Sequence, residues 1–142
     1  MFKRSLAVLL AAIMSIVCLV CGTAFSAYVP PDVSPQYSYT QSCSSELTIS
    51  GSTATCKSNA IGYYNETTKI VIKQALQKKN SSGNWINVKN ATWTGTVYNF
   101  QGSITNSKSS LSNGTYRLRS VFTVYAGTSY ETITKYSKEK TI

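Results

Sequence analysis

Thr115-Tyr116-Arg117-Leu118-Arg119-Ser120-Val121-Phe122-Thr123-Val124-Tyr125 is the stretch on which the fold turns. Tyr116, Leu118, Phe122 and Val124 share one parity; Arg117, Arg119 and Thr123 share the other. A pleated strand sends successive side chains to opposite faces, so this alternation predicts a strand with one apolar and one cationic side. Six further segments crowded with Thr, Ser, Val, Ile and Tyr read the same way, over residues 44–50, 53–62, 69–79, 85–90, 97–105 and 129–138. Their separators are Ser50-Gly51-Ser52, Asn65-Glu66-Thr67, Asn80-Ser81-Ser82-Gly83-Asn84, residues 107–114 and Ala126-Gly127. Such residues tolerate positive φ or hydrogen-bond their own backbone, as turns require. A helix over 69–79 would set Lys73 among apolar neighbours. Period two instead puts Ile70, Ile72 and Leu76 on one face and Lys69, Lys73 and Lys79 on the other, and the strand reading prevails.

Leu111, Gly114 and Tyr116 precede and open the strand at intervals of three and two. This resembles the tyrosine corner at the start of strand F in immunoglobulin-like sandwiches, where the phenol returns to a nearby backbone group; an ordinary buried tyrosine is the competing reading. The expected fold is all-β, an immunoglobulin-like antiparallel β-sandwich of about seven strands. In that arrangement segments 69–79 and 115–125 are neighbours in one sheet, so Lys69, Lys73, Arg117 and Arg119 share an outer face.

The N-terminus reads as an export signal. Met1, Phe2, Lys3 and Arg4 form a basic start, an apolar run extends from Leu6 to Val20, and small residues follow through Ser26. Cleavage before Ala27 is expected over residues 1–26, with cleavage before Phe25 as the next choice and a retained membrane anchor as the rival. Residues 27–42 hold all three prolines and read as a spacer, leaving one domain over 43–142. Beyond residue 26 lie 12 of the 14 Lys and Arg and all five acids, a net charge of +7. Such a surplus favours polyanionic surroundings or serves as a solubilising surface.

Cys18 and Cys21 fall in the leader and lack the small preceding residue that lipidation needs, so the mature part holds Cys43 and Cys56. In an exported chain two cysteines predict a disulfide. The prediction carries a geometric strain: a two-residue hairpin at Gly51-Ser52 would put Cys43 opposite Ala60, beyond bonding reach of Cys56. The bridge therefore requires a bent or late first strand, or a wider connection.

Ile70-Val71-Ile72, then Leu76-Gln77-Lys78-Lys79 with Gly83 and Trp85, and then Gly114-Thr115-Tyr116-Arg117 with Tyr125 and Tyr130-Glu131-Thr132 carry a broader resemblance. Over residues 43–142 the chain resembles small secreted β-sandwich proteins of Gram-positive bacteria that have no assigned function. The resemblance implies export and a sandwich fold and carries over no active site.

Catalytic chemistry is disfavoured by subtraction. The chain has no histidine, which removes the commonest general base, the Ser-His and Cys-His pairs and most zinc sites. Glu46 and Glu131 are the remaining candidates for a carboxylate pair, although a solvated acid or an arginine partner is the simpler role for each. No phosphate-cradling glycine loop or metal-spaced cluster is present, so neither a cofactor nor a metal is expected. Trp85 and Trp93 read as core anchors. Asn65, Asn80, Asn90 and Asn113 satisfy the glycosylation acceptor rule, which matters only in a eukaryotic source. The expected function is that of a secreted, non-catalytic binding or structural domain adhering to an anionic cell-envelope polymer, lipid or glycan. A secreted antimicrobial or toxin-like protein is the alternative. No specific nucleic-acid partner is expected.

Overall fold

The computed structural model describes residues 37–142, which form eight strands and no helix. The leader expected over residues 1–26 lies outside them. The strands are β1 (Thr40–Ser50), β2 (Thr53–Gly62), β3 (Lys69–Lys79), β4 (Trp85–Val97), β5 (Gln101–Lys108), β6 (Thr115–Ala126), β7 (Ser129–Tyr136) and β8 (Lys140–Thr141). They pair as two antiparallel sheets, β1-β2-β5 and β4-β3-β6-β7, with the short β8 joining β6. Sheets of this composition close a core only face to face, and the result is the expected immunoglobulin-like sandwich.

Expected strand limits hold at β2 and β3 and shift elsewhere. β1 begins at Thr40, three residues inside the stretch read as spacer. β4 runs seven residues past Asn90 because the strand bulges there and resumes: Gln77 faces Asn87, yet Ala75 faces Thr92. Asn90 takes the left-handed conformation (φ 56) that lets the chain turn out and back. The connection to β5 is Tyr98-Asn99-Phe100, where the Phe100 amide donates to Asn99 Oδ1 at 2.7 Å and the Phe100 carbonyl accepts from the Gly62 amide at 2.6 Å; β5 starts at Gln101.

The inward rows of β2, β3 and β6 each carry apolar residues interrupted by one polar residue. Leu47, Ala54, Cys56, Leu76, Ala91, Leu111, Tyr116 and Leu118 make one apolar cluster, and Ala60, Ile70, Ile72, Phe122 and Val124 another. Between them runs a belt of Ser45, Ser58, Gln74, Asn106 and Ser120. Gln74 Nε2 donates to Ser58 Oγ (2.7 Å) and to the Cys56 carbonyl (3.2 Å), and Gln74 Oε1 accepts from Asn106 Nδ2 (2.8 Å). Ser120 Oγ bonds both Ser58 Oγ (2.7 Å) and Ser45 Oγ (2.8 Å). Ser58, Gln74 and Ser120 are fully buried, where polar groups are tolerated because they are paired.

The tyrosine corner is present: Tyr116, buried in the first cluster, donates its phenol to the Ser112 carbonyl at 2.6 Å. Tyr116→Phe is expected to cost about 1 kcal/mol, the usual net worth of such a bond, measured by urea unfolding. An unchanged midpoint and slope would assign the corner's whole contribution to the ring.

The expected Cys43–Cys56 disulfide does not form. Gly51 adopts φ 55, and Gly51-Ser52 makes a tight two-residue turn, so β1 and β2 pair without a slip from Ser50↔Thr53 to Cys43↔Ala60. Cys56 faces Leu47, four residues from Cys43, or about 13 Å at the rise of a strand. Bonded cysteines need Cα atoms within about 7 Å. Both thiols are free, and each lies with a different apolar cluster.

Burial pushes the Cys56 thiol from 9.0 up to about 11; Cys43 is also raised, by burial first, with Lys135 opposing and Glu131 assisting. The unfolded chain therefore releases the Cys56 proton from about pH 9, while the native protein keeps it until about pH 11. This contribution to stability is intact below that window and is lost as pH rises through it, by up to about 1.4 kcal/mol per pH unit. Urea titrations across the window are expected to show a steeper decline for the protein than for Cys56→Ala. Parallel curves would refute the assignment.

Candidate functional site

The outward face of the β4-β3-β6-β7 sheet brings together the cations expected from the sequence. Cross-strand pairs place Lys69 beside Tyr125, Lys73 beside Val121, Ala75 beside Arg119 and Gln77 beside Arg117, all on the side opposite the buried Ile70, Ile72, Leu118 and Phe122. The four cations thus share one face but not one spot. Lys69 and Gln77, the partner of Arg117, are eight residues apart on β3, roughly 27 Å.

Lys73 and Arg119 form the open centre of the face. They flank a notch of about 320 Å³, lined also by Asn87, Thr92 and Val121. The notch follows from two local features: Ala75 offers only a methyl group, and β4 bulges away between Asn87 and Thr92, leaving no residue level with position 76. Both cations are exposed. Two positive side chains beside an amide and a hydroxyl suit a phosphate, sulfate or carboxylate: arginine offers a planar fork and lysine a point charge.

Arg117 is held differently. Its guanidinium lies 4.3 Å from the Trp85 ring centroid and 4.2 Å from that of Tyr136, and its Nε donates to Gln77 Oε1 at 2.9 Å. Gln77 in turn donates to Asn87 Oδ1 at 3.0 Å. Two aromatic rings and an amide thus hold the guanidinium, and Arg117 organises one end of the surface. Trp85, expected in the core, is therefore an outer-face residue; it pairs with Lys79 across the hairpin and is stacked by Arg117 and, at 5.3 Å, Lys79. Trp93 does pack against the first apolar cluster. Lys69 lies 4.0 Å from the Tyr125 centroid, and Tyr125 meets Tyr130 at 5.5 Å.

β7 resolves the parity that its sequence leaves open: Ile133 is buried, so Tyr130 and Tyr136 point out, 63% and 51% exposed. The face therefore has aromatic surface at each end, cations between, and threonines at 92, 94 and 96 on β4 and at 132 and 134 on β7. No Asp or Glu holds an outward position on these four strands. Glu139 lies 3.8 Å from Lys79 at one end.

The two candidate carboxylates do not meet. Glu46 lies on β1 of the other sheet, opposite Lys57 of β2. Glu131 is in the inward row of β7 and accepts the Ser38 and Tyr39 amides, each at 2.9 Å, tying the incoming chain to the sheet edge. Among the described residues no group of three or more His, Cys, Asp or Glu could hold a metal ion.

Fold and face together define an immunoglobulin-like β-sandwich with a cationic, aromatic-ended outer sheet. No family model matches the chain, and no curated protein matches it as a relative.

Proposed function

We propose that this chain is an exported, non-catalytic binding domain that holds an anionic polymer of the cell envelope along the outer face of its larger sheet. The observation that carries the reading is the notch between Lys73 and Arg119, where two cations converge on a face free of outward carboxylates. An extended polymer suits the roughly 27 Å strip: phosphate or carboxylate groups engage the cations, and sugar rings stack on Tyr130 and Tyr136. The overall charge supports the same partner by drawing polyanions toward the protein before contact.

The test is retention of the purified protein on immobilised poly(glycerol phosphate) across a salt series. Strong retention is expected at 0.01 M salt, where screening extends over about 30 Å, with steep loss toward 0.15 M, where it falls to about 8 Å. Ala75→Leu, which fills the notch without changing charge, is expected to weaken retention at low salt. Absence of retention at 0.01 M, or retention indifferent to both salt and Ala75→Leu, overturns the reading.

A further inference from the structure

A second cavity, of about 520 Å³, opens between the β3–β4 hairpin and the connection from β5 to β6. Its volume falls within the range of small-molecule clefts, about 300–1,000 Å³. Its walls are apolar. Leu111 and Tyr116 belong to the first core cluster and Val88 packs on it, while Ile86, opposite Lys78 on the hairpin, remains 53% exposed. An isoleucine that turns toward the space between the sheets yet stays half in water marks apolar surface that the fold itself leaves uncovered.

The rim is cationic. Lys78 Nζ donates to Ser112 Oγ at 2.7 Å and lies 5.5 Å from the Tyr116 ring centroid. Its course depends on Gly114, which adopts φ 150; a Cβ there would press on Lys78 Cε and stand 3.1 Å from Nζ. Held in this way, the ammonium keeps two further N–H donors for a ligand. Lys108 supplies a second charge. Lys79 also lines the cavity but is paired with Glu139. No acid lines it.

We propose that this cavity binds a short acyl chain ending in a carboxylate, with the chain against Ile86, Val88, Leu111 and Tyr116 and the carboxylate between Lys78 and Lys108. The pairing follows from charge complementarity: a neutral chain leaves both ammonium groups without an anionic partner, and a cationic one is repelled by them. The cavity is separate from the Lys73–Arg119 notch and shares no lining residue with it except Asn87.

The experiment is displacement of the fluorescent probe 1-anilinonaphthalene-8-sulfonate from the purified protein by decanoate, decanol or decyltrimethylammonium. Decanoate is expected to displace the probe with one-to-one stoichiometry, about tenfold more tightly than decanol, and the ammonium compound not at all. Lys78→Met keeps the aliphatic stem and is expected to weaken decanoate about tenfold while leaving decanol unchanged. Ile86→Ser, at an exposed position that the fold tolerates, is expected to weaken both. Equal displacement by decanoate and decanol, or indifference to both substitutions, overturns the proposal. So does loss of decanoate binding in Lys73→Glu/Arg119→Glu, which would place the ligand on the outer sheet face; failure of polymer retention alone leaves the cavity's occupant standing.

Discussion

Reversing the charges that flank the notch, in Lys73→Glu/Arg119→Glu, is expected to lower affinity for poly(glycerol phosphate) at least about hundredfold. A hydrogen bond to an ionised group contributes about 1.5–3 kcal/mol, so removing two of them is worth two or more decades before repulsion is counted. Salt dependence separates this from a general weakening. If both cations release counterions on binding, the slope of log affinity against log salt should become shallower by roughly two. The fold should survive, because both side chains are exposed and form no ion pair among the described residues, and such sites change stability by about 0.5 kcal/mol or less. An affinity and slope equal to those of the unaltered protein would show that the notch is not where the polymer rests.

The second large effect concerns the polar belt. Gln74→Leu has a similar volume but removes the acceptor of Asn106 Nδ2 and withdraws one donor each from Ser58 Oγ and the Cys56 carbonyl, which also lies within the β1-β2-β5 ladder. The donor left unpaired on Asn106 costs about 1–3 kcal/mol and each of the two lost hydrogen bonds about 0.5–1.5, against which the added apolar burial is worth less than about 2. The expected net loss is about 2–4 kcal/mol, with Tm falling by at least roughly 8 °C. A double-mutant cycle with Ser58→Ala supplies the control: the serine substitution should cost less once Gln74 is gone, by about 0.5–3 kcal/mol. If Gln74→Leu proves neutral or stabilising, apolar packing outweighs the belt, and its hydrogen bonds add nothing net.

Much of this was legible in the chain, and the failures have identifiable physical causes. Period two assigns the faces of β3 and β6 correctly, because every connection bounding them contains Asn, Gly or Ser and marks the strand limits. Parity also placed the four cations on one side of a sheet. It could not say that Lys69 stands apart while Lys73 and Arg119 converge, since that depends on register and on a three-residue bulge in β4. Asn90 looked like a strand end because its backbone is in fact left-handed, although the strand continues beyond it. Trp85 was misplaced for a different reason. A large aromatic suggests burial, but its pairing with Lys79 across the hairpin fixes it outward, the face to which period two assigns Lys79. The belt left a signal as well: Gln74 shares the parity of Ile72 and Leu76, and Ser120 that of Leu118 and Phe122. The disulfide failed on the register that the short turn itself implies, because local chain geometry outweighs compartment-based expectation.

The division of the interior has a dynamic consequence. β2, β3 and β6 each pass through both apolar clusters, so no hairpin can detach with one half and leave the other intact. Opening either end strips the hydrogen-bonded seam of its cover on that side, which makes partial opening nearly as costly as complete unfolding. The described domain is therefore expected to open as one cooperative foldon, with backbone amides of β2, β3 and β6 on the two sides of the seam exchanging with deuterium at a common, slowest rate.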